Sequence, residues 1–203
     1  MSTASVKTEL MTAEEFYEWA NLPENDNKWL ELVRGEVIEL PLPQRPHGVI
    51  CNNVAFPLTA YTRKKKRYYI TINDSGVLLE RDPDTVRGPD VALYDDANRF
   101  VDLHPKYGEF PPLLAAEVLS PNDRADRIME KIMDYLRNGV RLVWVIDPER
   151  RTVTVYTPDD GPRVFDETQT LTGNSVLSGL KCKVADFFQL PGDTTTPARK
   201  RKR

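Results

Sequence analysis

LLAAEVLSPNDRADRIMEKIMDYLRNGVRLVWVI, residues 113–146, decides the fold. Leu113 to Leu119 is a nearly continuous apolar run, as expected of a strand buried on both faces. Ser120-Pro121-Asn122-Asp123 is a turn and helix-start cluster. Ile128, Ile132, Tyr135 and Leu136 then recur on one helical face, and Asn138-Gly139 supplies the stop signal. Leu142 to Ile146 is a second buried strand, ended by Asp147-Pro148. Strand, helix and strand in this order spell a crossover unit with parallel strands.

Downstream, Thr152 to Tyr156 alternates as a further strand, Arg163 to Phe165 is a weaker one, and Val184 to Phe188 is a short apolar helix. Upstream, Thr12 and Glu15 have the spacing of a capping box, predicting a helix over Thr12 to Ala20 that buries Phe16. Trp29 to Val33 and Glu36 to Leu40 flank Arg34-Gly35, a hairpin signal. On the first of these strands Glu31 shares a face with Trp29 and Val33. Pro41, Pro43 and Pro46 make a stiff connection. Ile50, Val54, Leu58 and Tyr61 follow at helical spacing, with Pro57 expected to kink or break that helix. Tyr68 to Asn73 and Gly76 to Leu79 read as strands joined at Asp74-Ser75, followed by Val91 to Tyr94. Residues 95–112 read as a long loop. The whole is an α/β (α+β) single domain with a mixed central β-sheet flanked by helices. Residues 1–10 are expected to be a flexible N-terminus, 11–190 the domain, and 191–203 a disordered basic tail.

With 203 residues and 40% hydrophobic content, the chain can build a full core without disulfides or a structural metal. It is too apolar for a disordered protein, and no stretch is long and uncharged enough to span a membrane. Met1 to Leu10 lacks the apolar segment of a signal peptide. Cys51 and Cys182 are far apart, neither with a neighbouring Cys or His pair, which argues against a zinc or disulfide framework and fits a reducing cytoplasm. Charge is segregated. Arg63 to Arg67 and Arg199 to Arg203 hold ten of the 28 basic residues, leaving 18 against 31 acidic ones elsewhere. A uniformly basic nucleic-acid coat is excluded; local phosphate contacts are not.

Glu117 resists a purely structural explanation. A lone carboxylate inside a buried strand costs several kcal/mol unless it is paired, neutralised or bound to a cation. Asp90 opens another strand directly after Pro89, and Lys131 edges the buried stripe of the helix that follows Glu117. Two carboxylates and an ammonium meeting at a sheet edge suit Mg²⁺, which takes oxygen ligands and keeps waters. Such an ion stabilises charge on a phosphoryl oxygen, and the lysine orients the attacking water. Tyr135 reads as core, and Ser120 as a helix cap, with a place beside the site as the alternative. His47 reads as structural, with phosphate contact as the alternative. Asp147 and the Asp82-Pro83-Asp84 cluster read as turn residues, and His104 as a loop residue without chemistry.

Several segments in order carry a family resemblance. They are Thr12-Ala13-Glu14-Glu15-Phe16, Glu31-Leu32-Val33-Arg34-Gly35-Glu36, His47-Gly48, Arg87-Gly88-Pro89-Asp90-Val91-Ala92, Glu117-Val118-Leu119-Ser120-Pro121, Lys131-Ile132-Met133-Asp134-Tyr135, Gly139-Val140, and Val143-Trp144-Val145-Ile146-Asp147-Pro148. Together, over roughly residues 10 to 190, they resemble the bacterial restriction endonuclease family within the PD-(D/E)XK nuclease superfamily. The resemblance implies a restriction-endonuclease-like core and a metal-dependent endonuclease that hydrolyses DNA to leave a 5′-phosphate.

Asp90 matches the Asp of the Pro-Asp motif and Glu117 the acidic residue of the second element. Leu119 stands where the superfamily pattern has lysine, and Lys131 on the helix is the relocated match. Glu31 is the additional acidic residue, and the backbone carbonyl of Val118 is a further metal ligand. Mg²⁺ (or Mn²⁺) is the implied cofactor, with no small-molecule cofactor. DNA is the partner, gripped by Arg63 to Arg67 and the basic tail, and a homodimer suits a two-stranded substrate. The competing reading is a nuclease-fold module with a weak or inactive site that binds nucleic acid or protein. Glycoside hydrolysis by the two carboxylates is disfavoured, because Lys131 is expected to lower both carboxyl pKa values and leave no general acid.

Overall fold

The computed structural model describes residues 10–95, 106–190 and 192. Helix α1 (Ala13–Ala20) starts at Thr12, whose side chain accepts from the Glu15 backbone while the Glu15 carboxylate accepts from Thr12, so the capping box is formed. Strands β1 (Trp29–Val33) and β2 (Glu36–Leu40) form the expected hairpin. Arg34 and Gly35 both take positive φ, the demand of a two-residue turn that matches strand twist.

Helix α2 (Arg45–Lys65) runs through Pro57 unbroken, so of the expected kink or break the break does not occur. Pro57 removes one backbone hydrogen bond, but Ile50 and Val54 on one side and Leu58 and Tyr61 on the other remain packed in the same core. Burial on both sides outweighs the lost bond. The helix ends in the basic run, with Lys66 in the left-handed conformation.

Strands β3 (Tyr68–Ile72) and β4 (Val77–Glu80) do not pair with each other. They lie in different sheets, and Asn73 and Asp74, both with positive φ, make the turn between them. Strand β5 (Thr85–Arg87) was not legible in the sequence; it has three residues, two of them polar, yet all are buried. The four-stranded sheet has the order β2-β1-β5-β4. After β5 the chain crosses back through Gly88-Pro89-Asp90 into β6 (Val91–Asp95).

Strands β7 (Leu114–Val118) and β8 (Leu142–Asp147) are parallel neighbours joined by α3 (Ala125–Arg137), as the crossover pattern requires. With β9 (Thr152–Tyr156) and β10 (Arg163–Asp166) they complete a six-stranded mixed sheet, β10-β9-β8-β7-β6-β3. A second hairpin, β11 (Thr170–Gly173) and β12 (Leu177–Lys183), was also unread in the sequence. Gly179, at positive φ, shifts the buried positions to Leu177, Leu180 and Cys182, which hides the two-residue period. Helix α4 (Val184–Phe187) closes the domain.

The six-stranded sheet is covered on both faces. Leu114, Ala116 and Val118 of β7 face α2, α4 and β12, while Ala115 belongs to the cluster formed with α3 through Ile132 and Tyr135. Alternation along β7 therefore turns Glu117 toward α3. A third cluster joins α1 to the four-stranded sheet through Phe16, Leu32 and Val86. Among the described residues no helix is long and apolar enough to cross a membrane. His104, the N-terminus 1–9, most of the tail and residues 96–105 of the expected loop lie outside the described residues.

Candidate active site

Glu117 is buried on the α3 face of β7, and two α3 side chains one turn apart meet it. Lys131 Nζ donates to Glu117 Oε2 at 2.8 Å, and the Tyr135 hydroxyl donates to Oε1 at 2.7 Å. Lys131 Nζ also donates to the Gly88 carbonyl and pairs with Glu31 Oε1, each at 2.9 Å. Two hydrogens of the ammonium are thereby bonded, and its charge is shared with Glu31. Tyr135 is core, as the sequence reads it, and its hydroxyl adds a bond to Glu117 that the sequence did not show.

Glu31 comes from β1 on the opposite wall. It accepts from the Gly88 backbone at 2.9 Å and from Arg87 Nη1 at 2.9 Å. Arg87 turns its other edge to Asp134, with Nε 3.0 Å from Oδ2. This clamp ties β1, β5 and α3 together, and the sequence reading gave neither Arg87 nor Asp134 a role. An arginine in a three-residue strand flanked by Asp84 and Gly88 carries no burial signal of its own; its partners are far away in sequence.

Asp90 stands at the entrance of β6. Its Oδ2 accepts from the Val118 backbone at 2.6 Å, which holds it beside Glu117, and its Oδ1 lies 3.3 Å from His47 Nε2. His47 thus joins the site from the first turn of α2, against the structural reading made from sequence. Cys51, four residues on, has its Sγ 3.4 Å from His47 Nδ1. No Cys or His pair stands beside Cys51, but the single His47 does, and the i, i+4 spacing on a helix was the signal that could have found it. Ser120 does not cap α3, whose N-cap is Arg124 without a side-chain cap bond; it lines the cleft instead.

The electrostatics follow from counting charges. Desolvation pushes Glu31 up, but Lys131 and Arg87 outweigh it and hold its carboxyl below the ordinary range. Desolvation opposes the Lys131 charge, but Glu117, Glu31 and Asp90 together hold its pKa above the usual value. Glu117 is the surplus carboxylate. Burial, with Asp90 and Glu31 adding to it, raises its pKa to about 8 despite the Lys131 contact. Burial and the nearby Asp90 likewise raise Asp74, which is held by the Trp29 indole N–H at 2.6 Å. Lys131 does act to lower Glu117, as the sequence argument holds, but burial outweighs it, so the inference that no carboxyl stays protonated fails for Glu117. The hydrogen bond to Asp90 raises the pKa of His47, against the opposing effect of burial.

These groups form the floor of a cleft of about 630 Å³ between the β1–β2 hairpin and the start of α3. Exposed Arg34, Arg124 and Arg127 stand on its walls. The run Arg63 to Arg67 is elsewhere: α2 rises about 1.5 Å per residue, so Arg63 is roughly 24 Å along the axis from His47. Arg67 is paired with Asp95 at 2.6 Å.

The profile of a family described as "Uma2: Putative restriction endonuclease" matches residues 13–185. A crystal structure described as that of a "putative nuclease" from Anabaena variabilis ATCC 29413 is similar in fold, with a TM-score of 0.72 at 23% identity. The match covers 88% of this chain and 97% of that one. No curated protein matches the sequence.

Proposed function

Because this chain belongs to the Uma2 family, described as "Putative restriction endonuclease", we propose that it is a divalent-metal-dependent endonuclease acting on DNA. The observation that carries the reading is the charge imbalance on the cleft floor. Glu31, Asp90 and Glu117 share Lys131; Glu31 has a second, permanently charged partner in Arg87, and Asp90 has His47, which is cationic only when protonated. A buried site with carboxylates in excess of cations suits a hard divalent ion, and the raised Glu117 and Asp74 carboxyls register the same deficit.

In this reading Asp90, Glu117 and the Val118 carbonyl hold Mg²⁺, or Mn²⁺ in its stead. When bound, the ion supplies positive charge for the phosphoryl oxygens and lowers the pKa of a coordinated water. Lys131 keeps a fixed positive charge beside Glu117 and orients the attacking water. Glu31 keeps Lys131 protonated and anchored from the other wall. Arg34, Arg124 and Arg127 bind the phosphates that flank the scissile bond, and Arg63, Lys64 and Lys65 reach a more distant stretch of duplex. Hydrolysis leaves a 5′-phosphate. Cutting both strands asks for two such centres, which a homodimer supplies.

The test pairs binding with cleavage. Calorimetry with Mg²⁺ and Mn²⁺ is expected to show binding that Asp90→Asn and Glu117→Gln weaken. Supercoiled plasmid is expected to be nicked by wild type and not by Asp90→Asn, Glu117→Gln or Lys131→Met. Failure of wild type to bind either ion, or to cut DNA of any sequence with either, rejects the enzyme in favour of a binding module.

A further inference from the structure

His47 and Cys51 stand one helical turn apart on the first half of α2, and the fold sets Asp90 against them from the β5–β6 crossing. One donor atom from each of the three lies within 4.8 Å of the other two. His47 Nε2 is 3.3 Å from Asp90 Oδ1 and 4.0 Å from Cys51 Sγ. Zinc bonded at about 2.0 Å to nitrogen and oxygen and about 2.3 Å to sulfur, at tetrahedral angles, puts neighbouring donors roughly 3.3 to 3.6 Å apart. The two separations from His47 come within about half an ångström of that, and Cys51 Sγ lies within 4.8 Å of the Asp90 carboxylate, a gap that a side-chain rotation narrows.

The donor chemistry differs from that of the magnesium centre. Imidazole nitrogen and thiolate sulfur are ligands for zinc and its neighbours, whereas Mg²⁺ takes oxygen. A thiol is a weak hydrogen-bond donor, so the contact between Cys51 and His47 adds little to stability by itself. His47 and Asp90 line the cleft, which gives an ion a route in and leaves a fourth position for water or the Val118 carbonyl.

We propose that His47, Cys51 and Asp90 form a binding site for a zinc-class ion, and that zinc and magnesium exclude each other because both need Asp90. The thiol gives up its proton to the solvent as the ion binds. Zinc then acts as an inhibitor of cleavage. The binding stands on the geometry of the three residues; the effect on cleavage rests on the function proposed above.

Titration of the full chain with Co²⁺ tests the site directly, since a cobalt–thiolate bond gives a charge-transfer absorption that aqueous cobalt lacks. Wild type and Cys182→Ser are expected to show the band and to lose it when Zn²⁺ is added. Cys51→Ser and Cys51→Ala are expected to lack the band and to bind Zn²⁺ at least tenfold more weakly, with Mg²⁺ affinity within about twofold of wild type. Their DNA cleavage is expected to tolerate Zn²⁺ concentrations that stop the wild type. No sulfur band in wild type, or equal Zn²⁺ affinity in wild type and both Cys51 variants, overturns the site. Simultaneous saturation by Zn²⁺ and Mg²⁺ overturns the exclusion. Zinc binding through Cys51 in a protein that never cuts DNA leaves the site standing and rejects the nuclease reading instead.

Discussion

Lys131 Nζ lies 2.8 Å from Glu117 Oε2, although the two residues come from different elements and each is nearly fully buried. The pair is not self-sufficient. Lys131 spreads one charge over Glu117, Glu31 and the more distant Asp90. Removing it leaves buried carboxylates facing one another, and breaking a buried ion pair from one side costs about 3 to 5 kcal/mol. Lys131→Met is therefore expected to lower the unfolding free energy by about that amount at pH 8. Urea denaturation measures it, and a loss below about 1 kcal/mol contradicts the shared-charge account.

Titration of Glu117 gives a prediction with a definite sign. Its carboxyl is raised to about 8 in the folded protein, whereas the unfolded chain has the ordinary value. Between those values the native state holds a proton that the unfolded state has lost, so stability falls as pH rises from about 5 to 8. His47, also raised, contributes in the same direction as pH climbs past its unfolded value. Glu31, held low, is ionised throughout this window and adds no slope. With a chelator present, the urea midpoint of wild type is expected to drop across this range by the equivalent of about 2 to 4 kcal/mol. Glu117→Gln is expected to retain only the shallower slope due to His47 and the raised Asp74. Equal slopes in the two proteins contradict the assignment.

Much of this site was readable in advance, and the reason is physical. Glu117 announces itself because a carboxylate in an otherwise apolar strand needs a partner, and Lys131 because it sits at the edge of an apolar helical stripe. Arg87 and Asp134 gave no such signal. They neutralise each other across 47 residues of sequence, and neither disturbs a periodic pattern. The same holds for the fold. The crossover from residue 113 to 146 is written in long apolar runs, whereas β5 is too short to show a period and β12 has its period interrupted by Gly179. Pro57 does not break α2 because local propensity yields to the core on both sides of it.

Gly88 is the joint between the two walls. Its N–H serves Glu31 and its carbonyl serves Lys131. A Cβ there would lie 2.7 Å from the Asp74 carbonyl oxygen, a backbone atom that cannot swing aside. Gly88→Ala is expected to cost about 1 to 3 kcal/mol, as overpacking does. It is also expected to weaken Mg²⁺ binding by moving Lys131 and Glu31 relative to Glu117. Gly48→Ala, which meets nothing within 4 Å in helix α2, is the control expected to leave Mg²⁺ binding unchanged and to cost no stability, gaining up to about 1 kcal/mol. Thermal denaturation and calorimetry on both variants decide the matter.

Arg87 holds Glu31 and Asp134 with two edges of one guanidinium, a geometry that a lysine ammonium does not reproduce. Arg87→Lys keeps the charge but loses the fork, and is expected to destabilise by about 1 to 3 kcal/mol. Arg87→Met removes the charge and is expected to cost more. Chemical denaturation of both variants gives the order. A lysine variant as stable as wild type shows that charge alone suffices.

The cleft walls predict how DNA binding depends on salt. Each phosphate neutralised contributes about 0.9 to the slope of log affinity against log salt. Arg124 and Arg127 are exposed at the start of α3, above the acidic floor. Arg124→Ala and Arg127→Ala are each expected to reduce the slope by about 1 and to weaken binding to all duplex sequences alike. Arg63 is roughly 24 Å away along α2, at about 1.5 Å per residue. Arg63→Ala is therefore expected to reduce the slope only on duplexes long enough to extend past the cleft. Anisotropy titrations over a range of potassium chloride, on short and long duplexes with Ca²⁺ in place of Mg²⁺, separate the two contributions. An unchanged slope in the double variant Arg124→Ala, Arg127→Ala means that the phosphate backbone runs elsewhere on the surface.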